Sequence, residues 1–108
     1  MADFDEIIHQ PTRLRIMASL VTLDAGTRLE FTYLRDMLKL SDGNLGAHLI
    51  KLEEARYIKV EKTFAGRKPR TYLSATLKGR AAFEDHVAAL EQIIHADGKD
   101  DTGPKRGR

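Results

Sequence analysis

Apolar residues along the chain recur first at helical spacing, then at strand spacing, then at helical spacing again. Phe4, Ile7 and Ile8 fit one or two turns of helix whose positive N-terminal end suits Asp3, Asp5 and Glu6. Pro11 fits the first turn of a second helix, where its missing N–H costs nothing, and Leu14, Met17, Leu20 and Val21 then recur three and four apart. Asp24-Ala25-Gly26 closes that helix, with Gly26 available for a left-handed cap. Arg28-Leu29-Glu30-Phe31 alternates as a short strand would, and Thr32 is the expected N-cap of a helix over Tyr33–Lys39 with Leu34, Met37 and Leu38 facing inward. Ser41 is the expected cap of the next helix, about 42–55, whose buried stripe is Leu45, Leu49 and Leu52, flanked by Ile50 and Ala55.

After Arg56 the period changes. Tyr57–Phe64 alternates with Ile58, Val60 and Phe64 on one side, Ala65-Gly66-Arg67-Lys68-Pro69 reads as a turn, and Arg70–Ala75 reads as the returning strand. Thr76 or Leu77 opens a last helix to about Ala96, with a broad apolar face of Leu77, Ala81, Phe83, Val87, Leu90, Ile93 and Ile94. We expect one folded domain over 1–96 and a disordered polar tail over 97–108, rich in glycine and charge.

This order predicts a mainly α fold with a small β-hairpin: two short helices joined by Lys39-Leu40-Ser41, then the hairpin, then one long helix. That is a winged helix-turn-helix. Charge sharpens the reading. The formal net charge is only +2, yet Arg56, Lys59, Lys62, Arg67, Lys68, Arg70, Lys78 and Arg80 stand against Glu61 alone between residues 56 and 80. A basic patch on a near-neutral chain suits a polyanion.

An α-helix fits the major groove of B-form DNA, with its N-terminal residues able to reach base edges. A hairpin tip bearing guanidinium groups can reach flanking phosphates or the minor groove. On the helix over about 42–55, Ser41 and His48 can bond a base edge or phosphate, Asn44 can pair with adenine, Ala47 offers a methyl group to thymine, and Lys51 meets phosphate. On the wing over about 57–75, the candidates are Lys62, Arg67, Lys68 and Arg70, with Pro69 stiffening the tip. The expected partner is double-stranded DNA. The alternatives are a winged-helix module for protein–protein contact and an architectural protein that coats DNA without sequence preference.

The stretch LSDGNLGAHLIKLEEARYIKVEKTFAGRKPRTYLSATLKGRAAF, with HQPTRLRIMASL upstream, resembles the small stand-alone winged-helix regulators of the MarR and ArsR group. The resemblance covers about residues 4 to 94. It implies a transcriptional regulator that dimerises through its terminal helices and reads a palindromic operator, with a small-molecule effector pocket at the dimer interface by analogy to MarR-like proteins. Two positions depart from the pattern. Gly46 lies inside the recognition helix where serine is common, and Arg56 stands where glycine is usual, so a left-handed turn there would strain it.

The absence of cysteine excludes a disulfide scaffold, a thiolate metal site and a cysteine nucleophile, and fits a cytoplasmic protein. His86 and His95 are nine residues apart and fall on opposite sides of a helix, so within one chain they cannot share a metal; a site bridging two subunits is the remaining arrangement. No catalytic motif or phosphate loop occurs, so neither an enzyme nor a cofactor is expected. The acidic start MADFDEIIHQ does not read as a secretory signal, and no apolar run reaches the length of a membrane span.

Overall fold

Asp5, Gln10, Ser41 and Thr76 each fix a helix start by accepting a backbone N–H from the first turn. The computed structural model describes residues 4–98, so Asp3 and the tail from residue 99 lie outside the described residues. Within them run α1 (Glu6–His9), α2 (Pro11–Val21), β1 (Leu29–Glu30), α3 (Phe31–Leu38), α4 (Asp42–Glu54), β2 (Ile58–Ala65), β3 (Lys68–Ala75) and α5 (Leu77–Gly98). The strands form one antiparallel sheet in the order β1-β3-β2. This is a winged-helix fold with a long C-terminal helix.

The core draws from every layer: Ile8, Ile16, Met17 and Leu20 from the first two helices, Leu34 and Leu38 from α3, Leu45, Leu49 and Leu52 from α4, and Ile58 and Leu73 from the sheet. Burying each such side chain is worth about 1.5–3 kcal/mol before entropy is subtracted. Several expectations need correction. The third helix begins at Phe31, not after a Thr32 cap; its N-cap is Glu30, which makes no side-chain cap bond and whose carboxylate instead accepts from Arg70 (2.7 Å). Met37 is exposed rather than inward. Gly26 has φ +87° but sits in a turn closed by Thr27 N–H on Asp24 O (3.0 Å), beyond a helix that already ends at Val21.

The two helices of the helix-turn-helix end alike. Leu40 N–H reaches back to Arg35 O (3.0 Å) and Tyr57 N–H to Leu52 O (2.9 Å), each spanning a residue with positive φ, Lys39 (59°) and Arg56 (64°). This is the Schellman ending, with a basic residue in the slot glycine prefers and an apolar residue, Leu40 or Tyr57, packed against the core beyond it. The left-handed strain is partly offset because a cation suits a helix C-terminus.

In the wing the expected five-residue turn contracts to Gly66-Arg67, with Gly66 at φ +66°. Ala65 pairs with Lys68 and Phe64 with Pro69, so Lys68 and Pro69 belong to the strand. In a two-residue hairpin the pair next to the loop exchanges hydrogen bonds and the following pair does not. Pro69 falls in that second pair, where its missing N–H leaves the ladder intact.

The last helix leaves part of its broad apolar face uncovered. Gly79, His86 and Ala89 are buried, whereas Leu77 is 82% exposed and Ile93 and Ile94 are exposed at its far end. Thr76 is its cap: the hydroxyl accepts from Gly79 N–H (2.9 Å) and donates to Arg56 O (2.7 Å). The close approach of α5 to Tyr57 requires glycine at 79, since a Cβ there would lie 2.0 Å from Tyr57 O.

Candidate nucleic-acid interface

With Leu45, Leu49 and Leu52 fixed inward, the helical period turns Asn44, Ala47 and Lys51 outward as one exposed stripe on α4. Glu54 continues the stripe with an acid, so its basic part ends at Lys51. Ser41 is occupied as the N-cap, accepting Asn44 N–H at 3.1 Å, which leaves the Asn44 amide side chain exposed. The angle between α3 and α4 is held by Arg35, which donates to Asp42 (2.9 Å) across the turn and to Asp36 (2.8 Å) on its own helix. The hydrogen bond from Arg35 keeps the Asp36 carboxyl below its ordinary range.

His48 is not on that stripe. It is half-buried against α2, where its Nδ1 lies 3.3 Å from an Arg13 guanidinium nitrogen, and Arg13 also donates to Ile7 O at 2.6 Å. A guanidinium only donates, so Nδ1 must accept and the ring proton sits on Nε2. Burial and then the Arg13 charge push the imidazole below its ordinary pKa, which keeps it neutral. Arg13 is thus a second polar group beside α4, and no local sequence signal marks it because the contact crosses from α2 to α4.

Much of the basic charge between 56 and 80 is already engaged. Arg70 pairs with Glu30 (2.7 Å), and Glu61 receives both Arg28 (3.2 Å) and Lys59 (3.5 Å), with Arg28 lying 4.2 Å from the centre of the Tyr72 ring. Arg80 donates to Val21 O and Leu23 O, satisfying carbonyls at the end of α2. Lys78 lies over the Tyr57 ring. Among the described residues Lys51, Lys62, Arg67 and Lys68 are exposed and make no ion pair. Lys51 stands on α4, Lys62 on the wing face toward α4, and Arg67 and Lys68 at the wing end.

Strand alternation places Lys62 and Thr71 on the same face as buried Ile58 and Leu73, and Lys68 and Arg70 on the other. Lys62 therefore lines a groove of about 340 Å³ between α4 and the wing, with Phe31, Gly46, Leu49, Ile50 and Val60 among its walls. Gly46 contributes by omission, because a Cβ there would meet nothing within 4 Å.

His86 is not available as a metal ligand shared between subunits. It is fully buried, its Nδ1 accepts Asp5 N–H (3.2 Å), and its Nε2 faces His9 Nδ1 (3.5 Å) beneath the Phe4 ring. No cluster of three or more metal-ligating side chains occurs among the described residues. No described helix is long and apolar enough to cross a membrane.

The model of the family described as "Winged helix DNA-binding domain" matches residues 12–94. An uncharacterized protein of Methanocaldococcus jannaschii is 35% identical over 88 residues, 82% of this chain and 92% of that protein. Among solved structures, a transcriptional regulator homologue from Pyrococcus horikoshii OT3 superposes with a TM-score of 0.77 at 31% identity, covering 89% of this chain and 90% of that one. A PadR family transcriptional regulator from Eggerthella lenta shares the fold, with a TM-score of 0.65 at 19% identity over 87% of each chain. The exposed α4 stripe and the free cations at the wing end thus lie on a scaffold of DNA-binding proteins rather than of enzymes, and the chain belongs to the winged helix DNA-binding domain family.

Proposed function

We propose that this protein is a transcriptional regulator of the MarR- and ArsR-like kind that binds a specific double-stranded DNA site as a homodimer in the cytoplasm. The observation that carries the reading is the distribution of free charge: the exposed cations without ion pairs on α4 and the wing adjoin the Asn44–Ala47–Lys51 stripe. In this account α4 enters the major groove, Asn44 reads a base edge, Ala47 offers its methyl group, and Lys51 meets phosphate. Ser41 positions the N-terminal turn, and His48 offers its Nε2–H from the side of the helix. Lys62, Arg67 and Lys68 contact the flanking backbone or minor groove, with Arg70 a weaker contributor because Glu30 already holds it.

Support for the homodimer comes from α5, where Ile93 and Ile94 are 47% and 64% exposed past the last core contact. Two such helices packed about a two-fold axis would set the recognition helices about 34 Å apart, so the operator would be palindromic. By analogy to MarR-like proteins, an effector would enter between those helices. The regulator homologue from Pyrococcus horikoshii lends the regulatory role. Hydroxyl-radical footprinting on duplexes enriched from a random pool tests the reading. Two protected half-sites one helical turn apart are expected, and Asn44→Ala should abolish the sequence preference while leaving weak binding. Protection equal on scrambled duplexes would instead make the protein an architectural one.

A further inference from the structure

One face of the wing end carries apolar side chains in water, although charged residues flank it. Phe64 is 70% exposed and pairs across the hairpin with exposed Pro69. Non-hydrogen-bonded pairs bring their side chains closest, so the phenyl ring and the pyrrolidine form one apolar edge. The support beneath them is stiff: β2 and β3 pair without interruption from Ile58↔Ala75 to Ala65↔Lys68. Around this edge stand Lys62 on the same face, Lys68 on the opposite face and Arg67 in the turn, all without ion pairs among the described residues.

We infer that Phe64 and Pro69 form a wedge that enters the minor groove of duplex DNA between base pairs and kinks it. The inference rests on the proposed DNA-binding reading and adds a deformation step to it. Apolar wedges, phenylalanine and proline among them, unstack a base step in the minor groove and bend the duplex by about 20–90° toward the major groove. Guanidinium and ammonium groups beside such a wedge are held by the negative potential of that groove. The same charges argue against a second copy of this chain as the occupant, since two wing ends would bring like charges together. Unstacking favours flexible pyrimidine–purine steps, so the wedge would select sequence where no base edge is contacted.

The test uses a duplex enriched by the wild-type protein from a random pool, with a dye at each end and 2-aminopurine scanned through the flank facing the wing. Wild type should raise energy transfer and increase 2-aminopurine emission at one step. Phe64→Ala should lose both signals and bind about tenfold more weakly, with an unchanged dependence of affinity on salt. Phe64→Leu should keep the bend, and Arg67→Ala should keep the bend while reducing the salt dependence. An equal bend from Phe64→Ala that retains wild-type circular dichroism overturns the wedge and leaves DNA binding standing. Failure of wild type to enrich or bind any duplex overturns DNA binding and the wedge with it. Wild-type oligomers that Phe64→Ala dissolves in the absence of DNA would also overturn the wedge, by assigning the edge to a protein contact.

Discussion

Arg70 and Glu30 form a 2.7 Å ion pair between β3 and the end of β1, and each is only about one-third exposed: 36% and 27%. The pair ties the wing to the start of α3 and removes Arg70 from the freely available charge. Substitution should separate it from its neighbour at the tip. Arg67→Ala should lower the slope of log affinity against log salt by about 0.9 per phosphate contact, nearly two in a dimer. Arg70→Ala should lower it by clearly less, and Glu30→Gln should raise DNA affinity a few-fold by releasing the guanidinium. Fluorescence anisotropy across a salt series checks all three.

Acid should destabilise the fold before any carboxylate titrates. Burial, followed by the neighbouring His9, pushes His86 below its ordinary value of 6.5, with Asp5 opposing weakly, and His48 is lowered as well. The unfolded chain therefore binds more protons than the folded one as pH falls below about 6.5, so stability is complete above that pH and declines beneath it. Protonated His86 would also turn an N–H toward Asp5 N–H, breaking the bond to its Nδ1. Urea unfolding between about pH 7.5 and 5.5 should show the decline, and His86→Gln should flatten it.

Three backbone positions make opposite predictions. Gly79→Ala should cost about 3 kcal/mol or more, because its methyl group would meet the Tyr57 carbonyl rather than a flexible side chain. Arg56→Gly should stabilise by about 1 kcal/mol through relief of the left-handed backbone. Gly46→Ala should gain about 1 kcal/mol of helix propensity in open space. Thermal melts of the three variants provide the comparison.

The order of elements was legible because periodicity is a local property: the switch from helical to alternating spacing after Arg56 marks the start of the wing in the sequence as in the fold. The cap at Ser41 was legible because its side chain acts on its own first turn. What escaped reading depends on distant pairings. Thr32 looks like a cap until β1 pairs with β3 and hands that role to Glu30. His86 looks like a surface histidine on a helix until Asp5 and His9, nearly the whole chain away, close over it. Arg67 and Arg70 read identically in sequence; only the cross-strand position of Glu30 distinguishes them. His48 has the right place on α4 for the groove, yet Arg13 turns it toward α2.

If the free cations of α4 and the wing bind duplex DNA, affinity must fall steeply as salt rises. Anisotropy titration of the full chain against enriched and scrambled duplexes, from about 50 mM to 200 mM salt, measures this dependence. Tighter binding to the enriched duplex, a steep loss of affinity with salt, and a shallower slope for the Arg67→Ala/Lys68→Ala double variant are expected. No binding by micromolar wild-type protein at the lowest salt, or a slope untouched by the double substitution, would rule out DNA binding through these cations.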